Sequence, residues 1–214
     1  SFLPFIFILS IISILLASLT ALRSIDFKKI IAYSSIAHMN FSIFALFSND
    51  LVGLVGASYL IFSHAFVSSA LFLLIGILYI RYHSRNLYYY KGLFYTMPLF
   101  SFFFLFFSLA NMSLPFTSSF ISELLILLST LQFNFFISLF LLFSVFLSCC
   151  YIIWLANRIL FSHIPSVSVI SSYLDLSFSE FLALFPMFLF TLGFGLFPKP
   201  LFNLFTLNLI NVIL

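Results

Sequence analysis

The chain has 214 residues, of which 64% are hydrophobic and 6% charged, whereas a soluble domain carries about 25% charge. This composition excludes a water-soluble monomer and points to an all-α polytopic membrane protein bathed in lipid. The formal net charge of +3 does not mark a nucleic-acid binder, because the basic residues fall in short loops rather than on one face.

A helical span needs about 20 apolar residues. Six blocks meet or approach this length and are predicted as transmembrane helices, at about 1–22, 28–48, 51–80, 99–131, 134–161 and 181–197. A loop over 162–180 precedes the last helix, and an apolar tail follows "PKP" at 198–200, so that 181–214 is the final helix and tail. The fourth block is too long for one ideal span and contains Pro115, which removes a backbone donor and clashes with the preceding turn. A break near Pro115 is therefore expected.

Loop charge alternates along these blocks. The connection after the first carries Arg23, Lys28 and Lys29, and that after the third carries Arg81, Arg85 and Lys91, six of the eight basic residues. Both connections lie on one side, which the positive-inside rule makes the matrix or cytoplasm, with both termini opposite. Tyrosines at 79, 82, 88, 89, 90 and 95 form an aromatic belt at the same border, where Trp154 and Arg158 also fit. With 35 phenylalanines against six glycines, the composition points to A/T-rich organellar coding. Residue 1 is a serine and the first methionine is Met39, inside a predicted helix, with no presequence or signal-peptide pattern before it. The chain is therefore expected to be a processed product or the later part of something longer.

No phosphate-binding loop, dinucleotide fingerprint or metal-ligand spacing occurs. Cys149 and Cys150 are adjacent in an apolar block and read as small hydrophobes. Three ionisable residues remain deep in predicted spans: His38, His64 and Glu123. Such groups are costly in lipid and mark functional sites by default. A histidine tying two helices together would account for either ring alone. Ser34, His38 and Ser42, however, make one polar stripe at i, i+4, i+8, and His64 shares a face with Ser68. Serines often only bond back to the preceding turn, but two histidines at similar depth, each with a serine on its face, suit water and proton transfer because imidazole titrates near neutrality. Around Pro115, residues Asn111, Ser113, Thr117, Ser118 and Ser119 can satisfy the backbone groups that a break frees. Glu123 follows two turns later, and a discontinuous helix beside an acid is the usual pointer to an ion site. His64 is the expected inward neighbour of Glu123, reached through water.

The stretches "DFKKIIAYSSIAHMNFSIFAL", "FSHAFVSSALFLLIGILYIRYHSR" and "PLFSFFFLFFSLANMSLPFTSSFISELLIL" resemble the subunit 4 family of NADH:ubiquinone oxidoreductase, respiratory complex I, over roughly residues 10–160. The resemblance implies a proton-pumping, antiporter-like subunit of fourteen helices built on two inverted five-helix repeats. Residues 1–161 would then be the second repeat, followed by the last helix. It places the family's proton-pathway residues on His38, His64 and Glu123. Ser34, Ser42, Ser68, Lys28 and Lys29 are expected as supporting polar groups beside them. "SHA" here replaces the family's "AHG", and the stretch after Pro115 is poorer in glycine than the family's pattern. The resemblance further implies a multi-pass subunit in the mitochondrial inner membrane, with other membrane-arm subunits as partners. No catalytic, metal-binding or cofactor-binding residue is expected in this chain. NADH, FMN, iron–sulfur clusters and ubiquinone would be used by other subunits, so the chain is part of an enzyme without being catalytic alone. The family's first repeat is absent, so either a separate chain supplies the first antiporter-like half or the chain is truncated. The alternatives are a subunit of a multisubunit cation/proton antiporter, or a structural half-subunit without transport.

Overall fold

The computed structural model describes residues 2–48, 50–162 and 174–213. Its helices are α1 (Leu3–Arg23), α2 (Phe27–Leu46), α3 (Leu51–Tyr82), the single turn α4 (Leu93–Thr96), α5 (Pro98–Asn111), α6 (Ser118–Phe133), α7 (Phe135–Leu160), α8 (Phe178–Leu196) and α9 (Lys199–Ile213). Among the described residues no strand forms, only an isolated bridge between Asp26 and Asn86. Four helices, α1, α3, α7 and α8, are long and apolar enough to cross a membrane, and α5 and α6 are shorter apolar helices. The protein is a multi-pass, all-α membrane protein. Most of the loop expected over 162–180 lies outside the described residues; α8 itself starts at Phe178. The apolar tail is helical, as α9.

Local chemistry sets the helix ends. Proline sits in the first turn of α1 and of α5, where its missing N–H would have had no intrahelical partner. Asn134 separates α6 from α7, and its side chain accepts from the Phe136 N–H at 2.9 Å. Ser177 and Glu180 form a capping box at the start of α8.

The connections that carry the basic residues meet at one end of the bundle. Phe27 N–H donates to the Arg85 carbonyl at 3.0 Å and Leu87 N–H to the Ile25 carbonyl at 3.2 Å, so the α1–α2 and α3–α4 connections are joined backbone to backbone. Arg158, in the last turn of α7, lies over the Tyr88 ring at 4.3 Å. Arg81 donates to the Glu180 carboxylate and to the Leu174 and Asp175 carbonyls. The Asp175 carboxylate in turn accepts from Leu99 N–H at 2.9 Å and Phe100 N–H at 3.1 Å, satisfying donors that the start of α5 leaves unpaired. We refer to this as the basic end.

Phenylalanine fills the interior between α3, α5, α7 and α8. Phe100, Phe103, Phe104 and Phe107 are all buried, and α8 lays Phe181 and Phe188 edge-on against Phe103. Glycine allows a close helix approach. A Cβ on Gly56 would lie 2.9 Å from Leu125 Cβ and 3.1 Å from Ile126 Cγ1, and one on Gly53 2.9 Å from Ser129 Oγ. These two contacts make α3 and α6 antiparallel and nearly touching, which sets the register of the site below.

Candidate functional site

Three helices converge on the buried ionisable groups. His38 from the middle of α2 places Nδ1 3.1 Å from Oε1 of Glu123 on α6, with both side chains less than a tenth exposed. The ring of His64, from α3, lies beside that of His38 with centroids 5.2 Å apart and planes 39° from parallel. The sequence of contacts is therefore Glu123, His38, His64. The neighbour expected for Glu123 was His64, and here the structure corrects the expectation. The antiparallel register explains why. With Gly56 opposite Ile126, the level of Glu123 on α6 corresponds to about residue 59 on α3, so His64 stands roughly 7 Å further toward the basic end at 1.5 Å per residue. The His38 ring fills the gap.

A cavity of about 20 Å³ adjoins the pair, lined by Ile14, Ala37, His38, Phe41, Glu123, Ser144, Val145 and Ser148. That is room for one water, given that a water needs about 10–15 Å³ and two or more polar partners. His38 and His64 each keep a buried Nε2 with no protein partner. Burying a carboxylate and an imidazole is costly unless they pair, and this pair shares one hydrogen-bonding axis.

The break lies beside this pair. α5 ends at Asn111 and α6 begins at Ser118. Between them, Ser113 and Phe116 adopt left-handed backbone angles, with φ of 59° and 77°. The side chains around Pro115 close the gap in hydrogen bonding: Thr117 Oγ1 donates to the Leu114 carbonyl at 2.6 Å, and Ser119 Oγ donates across the break to the Ala110 carbonyl. Glu123 thus sits in the second turn of a helix that starts inside the protein.

The remaining predicted residues divide. Ser34 and Ser42 are buried on the His38 face, but each hydroxyl proton is held by its own helix, at the Ile31 and Met39 carbonyls. Each oxygen still has acceptor capacity, and Ser34 uses it toward Asn111 Nδ2 at 3.3 Å. Ser68 is half-buried, one turn beyond His64 on α3. Lys28 and Lys29 do not join the site: both are exposed, Lys29 pairs with Asp26 at 3.0 Å, and Lys28 precedes His38 by about 15 Å of helix. Among the described residues no group of three or more metal-ligating side chains forms. Ser144, Ser148 and Tyr151 of α7 also approach the site, although the sequence pattern did not single them out. Their only sequence signal is polarity inside an apolar helix.

This arrangement has relatives. Residues 2–150 match the model of the family described as "NADH:quinone oxidoreductase/Mrp antiporter, TM". The chain is 47% identical over 212 residues to "NADH-ubiquinone oxidoreductase chain 4" of Chondrus crispus, covering 99% of this chain and 43% of that protein. It is 46% identical over 198 residues to the protein of the same name from Marchantia polymorpha, covering 92% and 40% respectively. Among solved structures, a chain of respiratory complex I from Thermus thermophilus with bound NADH superposes with a TM-score of 0.86 at 26% identity, over 96% of this chain and 44% of that one. The chain thus spans less than half the length of the relatives it matches. It belongs to the NADH:quinone oxidoreductase/Mrp antiporter transmembrane family.

Proposed function

We propose that this chain is a proton-translocating piece of the membrane arm of mitochondrial respiratory complex I, and that Glu123, His38 and His64 carry the proton. The observation that supports it most is the Glu123–His38 pair at 3.1 Å, held beside a broken helix and backed by a second imidazole. A buried carboxylate–imidazole pair next to a water-sized cavity has the parts that proton exchange needs, namely two protonation states in a protected setting. The relatives at 46–47% identity carry the complex I chain 4 name, which favours that complex over a cation/proton antiporter within the same family.

On this reading the chain crosses the mitochondrial inner membrane six times, the broken α5–α6 pair counting as one crossing. The basic end faces the matrix. Residues 1–161 act as the second antiporter-like repeat, and a separate chain supplies the first half beside other membrane-arm subunits. Electrons pass only through NADH, FMN, iron–sulfur clusters and ubiquinone in those other subunits. The test is Glu123→Gln in the assembled complex reconstituted into sealed vesicles. The variant keeps the shape of the side chain and removes its exchangeable proton. Proton uptake coupled to NADH oxidation is expected to fall by about 10²-fold, the scale of a lost proton-transfer group. Assembly at normal levels with full proton translocation would refute the reading.

A further inference from the structure

We propose that Tyr59 is a positioning residue for the break beside Glu123: its hydroxyl stands in for the backbone donor that Pro198 lacks, and so fixes where α8 ends against the break. The inference rests on the proton-transfer reading above. Tyr59, on α3, is fully buried and stands at about the level of Glu123 in the antiparallel register. Its hydroxyl donates to the Phe194 carbonyl, near the end of α8, at 2.6 Å.

The chemistry of that helix end explains the bond. In a continuing α-helix the Phe194 carbonyl would accept from the N–H four residues on. That residue is Pro198, which has no N–H to give. Proline also keeps the residue before it out of the helical region, and Phe197 turns away accordingly, with φ −121° and ψ 76°. Phe197 N–H still reaches the Gly193 carbonyl at 2.8 Å, but the next carbonyl, that of Phe194, is left without a helical partner. Inside a membrane such a carbonyl must be satisfied by the protein itself, and Tyr59 does so.

The aim of the hydroxyl is fixed from both sides. Phe202 of α9 stacks on the Tyr59 ring, with centroids 5.5 Å apart and planes 30° from parallel. The Phe194 ring lies edge-on to that of Phe62, on α3, at 5.7 Å. The residue after Phe194 is Gly195, which packs on the Phe116 and Thr117 backbone of the break. The bond therefore acts one residue away from the contact between α8 and the break, and α6 begins at Ser118, directly after it. Tyr59 works through that contact rather than on the translocated proton, since its own hydroxyl proton is committed to the Phe194 carbonyl.

The experiment measures coupled proton translocation per assembled complex in sealed vesicles for Tyr59→Phe, for Tyr59→Phe combined with Pro198→Ala, and for Glu123→Gln as reference. Tyr59→Phe keeps the ring and loses the donor. It is expected to assemble at normal levels and to translocate about fivefold more slowly, the scale on which one hydrogen bond weights two positions of a helix end. Pro198→Ala returns an N–H four residues after Phe194 and lets Phe197 enter the helix, so the double variant is expected to recover to within about twofold of the parent rate. Full-rate translocation by Tyr59→Phe where Glu123→Gln is inactive overturns the proposal and leaves the Glu123 reading intact. So does a loss that Pro198→Ala fails to restore, or one matched by a loss of assembled complex. Full translocation by Glu123→Gln removes both.

Discussion

Gly195 of α8 rests on the backbone of the α5–α6 break. A Cβ built there would collide with the Phe116 carbonyl oxygen and lie 2.7 Å from the Thr117 carbonyl carbon. The atoms it meets are backbone, fixed by the left-handed angle at Phe116, and have nowhere to go. α8 therefore packs directly on the break, and we expect it to brace it. Gly195→Ala should push the two apart and cost about 1–3 kcal/mol, as overpacking does. Gly193, two residues earlier, faces open space, and Gly193→Ala should be neutral or slightly stabilising because alanine favours helix. Thermal inactivation of the assembled complex separates the two: a lower midpoint for Gly195→Ala only. Equal midpoints would remove the bracing role.

His64 makes no direct contact with the carboxylate, yet it is the next ring along from His38. His64→Ala should lower coupled proton translocation by at least about tenfold while leaving the amount of assembled complex near normal. Loss of assembly in proportion to loss of activity would instead make His64 a packing residue.

Arg81 gathers three acceptors at the basic end, namely the Glu180 carboxylate and the carbonyls of Leu174 and Asp175. Arg81→Lys keeps the charge and loses the planar fork, so it should behave like Arg81→Gln and destabilise the α7–α8 connection by about 2 kcal/mol, the scale of charged hydrogen bonds. Full thermal stability of the lysine variant would show that charge alone suffices there.

The bundle's polarity is testable by labelling. Tyr89 is exposed at the basic end and Lys199 is exposed at the start of α9. Single cysteines at these positions, in a background with Cys149 and Cys150 replaced by serine, should react with a membrane-impermeant reagent from opposite sides of sealed vesicles. Reaction of both from the same side contradicts the six-crossing arrangement.

Several of these relationships were legible in the sequence and others were not, for physical reasons. Loop charge alone put the Arg23–Lys29 and Arg81–Lys91 connections on one side, and backbone bonds between Phe27 and Arg85 join them there. Pro115 announced the break because a missing donor in lipid needs nearby hydroxyls, and Thr117 and Ser119 supply them. Which imidazole touches Glu123 was not legible. Depth along a helix can be counted in residues, but rotation about its axis cannot be read from apolarity when the lipid-facing side is as apolar as the interior. That rotation is set by the glycines at 53 and 56, whose closeness to α6 only the packed structure reveals. Tyr151 was hidden for the same reason, since one tyrosine in an oily helix does not declare which way it points.

The central claim is that Glu123 and His38 work as one proton-exchanging unit. A double-mutant cycle on proton translocation measures this directly, using Glu123→Gln, His38→Gln and both together in the assembled complex. Residues that act as a unit are strongly non-additive, so the double variant should be within about twofold of the more impaired single variant. Losses that multiply, or a His38→Gln variant that translocates at the full rate, would contradict the account.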